Sequence, residues 1–214
     1  MGKINQGILG GFSGKIGNVI GGNWKGIDYM RIKPANVANP RTEGQLDQRS
    51  KFSTVLRFLQ SMTGFIKVGF KGYAIKMTEF NSAMSFNLSN GITGSYPDYS
   101  IDYLNALVSR GALAFALNPA IDSTVAGTVS FSWDDNSGEG NAKATDKAML
   151  LVFNASKKEA VFVTDGDARS TASQNLLVPD SYSGDTVHAF ISFISDDGKS
   201  VSNSKYVGSV VVSA

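Results

Sequence analysis

Residues 148–194 read AMLLVFNASKKEAVFVTDGDARSTASQNLLVPDSYSGDTVHAFISFI. Four short apolar runs stand out: AMLLVF, EAVFVT, NLLVP and TVHAFISFI. Polar segments separate them, and Asp165-Gly166 is a turn pair by its own backbone chemistry. Short runs rich in Val, Ile, Leu and Phe, bounded by such turns, read as strands. Working outward, ALAFAL (112–117) and TVSFSW (128–133) precede this stretch and KYVGSVVV (205–212) follows it. Seven strands at this spacing predict an antiparallel β-sandwich of immunoglobulin or fibronectin type over residues 111–214. The chain has no cysteine, so the inter-sheet disulfide of antibody domains cannot form and the fibronectin-like version fits better. Trp133, late in the second strand, is the large aromatic such a core would bury.

Upstream, residues 34–110 read as a helical or mixed region. Thr42 with Gln45 is a capping-box pair, and Leu46, Phe52, Val55, Leu56 and Leu59 recur at helical spacing, which predicts a helix over 42–62. A second helix is expected over 73–89, with Asn90-Gly91 as its stop. Met77, Phe80, Met84 and Leu88 would share its core face.

Residues 1–33 differ from both. Nine of the first 26 residues are glycine, yet large apolar residues keep returning. Of the twelve even positions from 2 to 24, ten are apolar or glycine, and the odd positions carry most of the polar residues. A period of two is the strand signal. The pattern predicts an extended β arm with Ile4, Ile8, Phe12, Ile16, Ile20 and Trp24 on one side. IDYMRIK (27–33) then pairs back through GGNWKG as a hairpin. The fold class expected is α+β: an N-terminal glycine-rich arm and hairpin, two helices, and a C-terminal sandwich.

Reactive chemistry is sparse. The one histidine, His188, lies in a strand and reads as a structural residue at the sandwich edge, without a GxSxG elbow anywhere to accompany it. The Gly14-Lys15 pair invites a phosphate-loop reading, but Leu9 stands where the first glycine is needed and Ile16 where the hydroxyl is needed. Asp134–Glu139 fails calcium-loop spacing because Gly138 occupies the third ligand position. No catalytic, metal or cofactor residue is therefore assigned, and an enzyme is not expected. No basic run with interleaved aromatics suggests nucleic acid. No apolar run approaches the roughly 18 residues of a membrane helix, and glycine, Asn and Gln interrupt any signal-peptide core at the N-terminus.

Three segments resemble the domain of unknown function 6266 family: GGFSGKIGNVIGGNWKGIDYMRIKP (10–34), NPRTEGQLDQRSKF (39–52) and SNGITGSYPDYSIDY (89–103). The resemblance implies a bacterial protein, often without a recognisable leader, and in some members a subunit of extracellular helical filaments. It implies no catalytic residue.

Charge is uneven. Residues 1–110 hold 13 Lys+Arg against 6 Asp+Glu, a balance of +7, and residues 111–214 hold 7 against 12, a balance of −5. A basic head and an acidic tail can attract one another between copies. Twenty-four extended residues also reach about 80 Å, beyond the width of one such domain. The function expected is a self-assembling extracellular filament subunit, joined head to tail by adding the arm to a sheet of the next copy. An incomplete sheet of the sandwich would be the acceptor. The alternatives are a virion structural protein and a surface carbohydrate-binding module using Trp24, Tyr96 and Tyr99.

Overall fold

The computed structural model of the chain describes residues 3–4, 12–24, 27–36 and 41–214. Two compact units follow one another, Met1–Thr42 and Glu43–Ala214.

The first unit is a four-stranded antiparallel sheet in chain order: β1 (Lys3–Ile4), β2 (Phe12–Ile16), β3 (Val19–Trp24) and β4 (Ile27–Ile32). The expected second strand is present as β4, but residues 1–26 are not one extended arm. Gly17 and Asn18 form a two-residue turn between Ile16 and Val19, which pair. Gly17 adopts φ +58°, as the first central position of such a turn requires. This turn is a reversal additional to the expected one, because β3 and β4 also pair, with Trp24 opposite Ile27, where the GGNWKG hairpin is expected.

The second unit begins with α1 (Glu43–Gln60) and α2 (Thr63–Gly69). Helix α3 (Glu79–Asn90) starts six residues later than expected. Thr78 caps it by accepting from the Asn81 N–H at 3.2 Å, and Met77 is left exposed outside the helix. Phe80, Met84 and Leu88 do face the core. A short hairpin follows, β5 (Ile92–Ser95) with β6 (Asp98–Ile101). Buried Asn87 of α3 then fixes the next segment, donating to the Leu107 carbonyl at 2.8 Å and accepting from its N–H at 3.0 Å.

The sandwich strands are β7 (Leu117–Asp122), β8 (Thr128–Asp134), β9 (Lys147–Asn154), β10 (Glu159–Val163), β11 (Ser173–Leu177), β12 (Thr186–Ile194) and β13 (Lys205–Val211). Six match the expected runs. The first lies at LNPAID rather than ALAFAL. Pro119 is tolerated there because β7 is an edge strand. The sheets are β10-β9-β12-β13 and β11-β8-β7, the four-plus-three order of a fibronectin type III domain. The full set of seven strands is present, so the sandwich has no missing strand for a donor to replace.

One sheet face carries the helices. Along β9, Ala148, Leu150 and Val152 enter the sandwich core with Val129, Phe131, Trp133, Ile191 and Phe193. Met149, Leu151 and Phe153 enter a second core with Phe58, Phe65, Ile66 and Phe190. The four-stranded sheet is thus the middle layer of three, and helices and sandwich share one body. Trp133 is buried as expected. Its indole N–H donates to the Arg169 carbonyl at 2.8 Å, and its ring meets Phe193 edge-on at 5.6 Å. Beneath it lies an ion pair the sequence did not reveal. Arg169 and Asp146 are both fully buried, 3.2 Å apart, and Arg169 also donates to Asn136 and to the Ala114 carbonyl.

Candidate functional site

The N-terminal sheet holds the residues singled out as an assembly surface, and its register decides which of them stand together. Phe12 pairs with Ile4, Ile16 with Val19, and Val19 with Ile32. Paired residues share a face, so Phe12, Ile16, Val19, Met30 and Ile32 form one side. Ile20 lies between Lys15 and Arg31 on the other. A two-residue turn flips parity: even positions before it share a face with odd positions after it. That corrects the expectation of a single apolar side running from Ile4 to Trp24. Trp24 pairs with Ile27 in the ladder, and Ile8 lies outside the described residues.

The first side is open. Ile16 is 49% exposed, Val19 37%, Met30 71% and Ile32 77%. Ile16, Val19 and Ile32 form a continuous row across three strands. Glycine makes room for rings beside it. The Phe12 ring lies 2.6 Å from where a Cβ on Gly21 would stand, and the Tyr29 ring takes the matching place over Gly22, at 2.9 Å. Each ring closes over a bare backbone that has no side chain of its own to bury. Among the described residues, β4 pairs only with β3, which leaves its outer edge without a strand partner. Gly14, Lys15 and Ile16 are strand residues of β2, so no loop stands there to wrap a phosphate.

The candidates in the second unit sit apart from one another. His188 is in β12, an inner strand rather than an edge, and it faces the helical layer. Its Nδ1 is 2.9 Å from the Tyr206 hydroxyl, and its ring stacks on Tyr103 at 3.7 Å and 16°. Burial holds the imidazole below its ordinary pKa, and burial raises Tyr103 and Tyr206 above theirs. Among the described residues, the hydrogen bond given to this ring is to Tyr206 and not to a carboxylate. Asp135 accepts from the backbone N–H of Ser137 at 3.0 Å and from its hydroxyl, and Asp134 accepts from Asn118. These bonds explain the acidic 134–139 segment as a turn. Tyr96 is exposed at the β5–β6 hairpin, whereas the Tyr99 hydroxyl is engaged by Asp47. Among the described residues, no helix is long and apolar enough to cross a membrane.

No curated protein matches the chain. Among solved structures, the fn3 domain of the human collagen alpha-1(XX) chain is similar at 13% identity and TM-score 0.35, covering 48% of this chain and 88% of that one. The family model described as "Family of unknown function (DUF6266)" matches residues 11–208. The chain belongs to that family.

Proposed function

We propose that this chain is a non-catalytic structural subunit that polymerises outside the cell, with its N-terminal sheet as the joining element. The observation that carries the reading is the combination of the open apolar row Ile16–Val19–Ile32 with the unpartnered edge of β4. An apolar face rimmed by polar surface marks an interaction site, and an open edge is a template for another strand. The complete sandwich argues against replacement of a missing strand, so the joining step is addition at an edge or face of the N-terminal sheet. The uneven charge, +7 in residues 1–110 and −5 in 111–214, would orient copies head to tail. Such heterologous contacts propagate into helical filaments when they do not close.

Electron micrographs of purified full-length chain should show filaments. Ile32→Asp, which places a charge at the β4 end of the row, beside the open edge, should abolish them while leaving thermal unfolding of the body unchanged. A stable monomer at high concentration, or normal filaments from Ile32→Asp, would overturn the proposal.

A further inference from the structure

A cleft of about 260 Å³ opens where α1, β6, the loop after it and the β9–β10 turn meet. Phe58, Ile101, Tyr103 and Phe153 stand behind it, but Phe58 is only 2% and Phe153 only 5% exposed, so half-buried Tyr103 and Ile101 supply the apolar surface. Phe58 and Phe153 meet edge-on at 5.0 Å, and Tyr103 lies 6.1 Å from Phe58. The rings therefore fix one another. Thr54 and Ser100 supply hydroxyls at the wall.

The charge of the cleft is one-sided. Arg57 from α1 and Lys158 from the β9–β10 turn are the cations that line it, and no carboxylate does. Neighbouring cations are satisfied. Lys51 is 3.0 Å from Asp47, and Lys157 pairs with Asp185. Among the described residues, Arg57 and Lys158 have no acidic partner within 4 Å. Asp47, the acid closest to Arg57 in sequence, is held by the Tyr99 hydroxyl and by Lys51, which keep its carboxyl below the usual range.

We propose that this cleft binds a small planar anion: an aromatic ring carrying a phosphate or carboxylate. The ring suits the half-buried Tyr103 ring beside Ile101, where face or edge contacts favour flat apolar groups. The anion suits Arg57 and Lys158, whose N–H groups donate charge-assisted bonds. The volume lies just below the usual range of about 300–1,000 Å³ for ligand sites, which limits the ligand to one or two rings. Occupancy of the cleft requires no assembly of the chain.

His188 provides the readout. It is the chain's one histidine, and it stacks on Tyr103, so its imidazole resonances report on this wall alone. Phenyl phosphate titrated into full-length protein at fixed pH should shift these resonances saturably, in the millimolar range. Phenol and inorganic phosphate should each bind at least about tenfold more weakly, a factor worth 1.4 kcal/mol. Arg57→Gln with Lys158→Gln should weaken phenyl phosphate by at least about tenfold, and Arg57→Lys alone should keep most of the affinity. Both side chains are exposed, so the variants retain the fold. Absence of a saturable shift, equal affinity in the double variant, or inorganic phosphate binding as tightly as phenyl phosphate would overturn the assignment.

Discussion

The two sheets built around the chain's most regular strands solve opposite problems. In the body, β9 is buried along nearly its whole length, with alternate side chains entering two different cores. In the N-terminal unit, β2 and β3 present glycine where β9 presents Leu and Val, and the apolar residues that remain stand largely in the open. The difference shows what period-two alternation means in each place. In the body it sorts side chains between a helical layer and a sandwich. In the N-terminal sheet it separates the Ile16–Val19–Ile32 row from a row carrying Lys15 and Arg31. One sheet is finished by its own chain, and the other offers a surface.

The largest effect should come from the body. Arg169→Ala strands the buried Asp146 carboxylate and should cost about 3–5 kcal/mol, seen as a lower urea midpoint. Replacing both partners, with Arg169→Met and Asp146→Leu, should restore most of that loss, because no buried charge is then left alone. A smaller effect should separate the two sheets. Gly21→Val puts a Cβ 2.3 Å from the Phe12 carbonyl oxygen, which cannot move aside without breaking the β2–β3 ladder. Limited proteolysis should then cut within residues 1–42 while the body unfolds at its usual temperature. If the body's midpoint falls with it, the two units are not thermally independent.

The smallest effect concerns His188. Burial lowers its pKa in the folded chain, so at acidic pH the unfolded chain binds the proton more readily. The stability tied to the neutral ring is complete above the unfolded value of about 6.5 and is lost as pH falls below it. Urea midpoints should drop between pH 7.5 and 5.5, and His188→Gln should flatten that drop. The carboxylates with lowered values, Asp47 and Asp185 among them, titrate further down, outside this window.

Much of the body was legible because each strand carries its own signal. AMLLVF, TVSFSW and TVHAFISFI need no partner to be recognised. What sequence could not show is where a signal belongs. ALAFAL alternates as well as any strand, yet β7 forms at LNPAID, because an edge position forgives Pro119. The missing boundary at Thr78 is a capping choice made against helix-compatible residues on both sides. In the N-terminal sheet the alternation was real but was carried across Gly17-Asn18, and a two-residue turn inverts which positions share a face. The cleft was invisible for a different reason. Phe58, Tyr103, Phe153 and Lys158 come from four separate elements, and no local pattern ties them together.

The double duty of β9 also bears on how this architecture can be inherited. A fibronectin-type module usually travels between proteins as a self-sufficient block. Here, cutting at residue 111 would leave Met149, Leu151, Phe153 and Phe190 without the helices that cover them. Keeping those side chains covered therefore requires the helices together with the sandwich, as in the compact unit Glu43–Ala214.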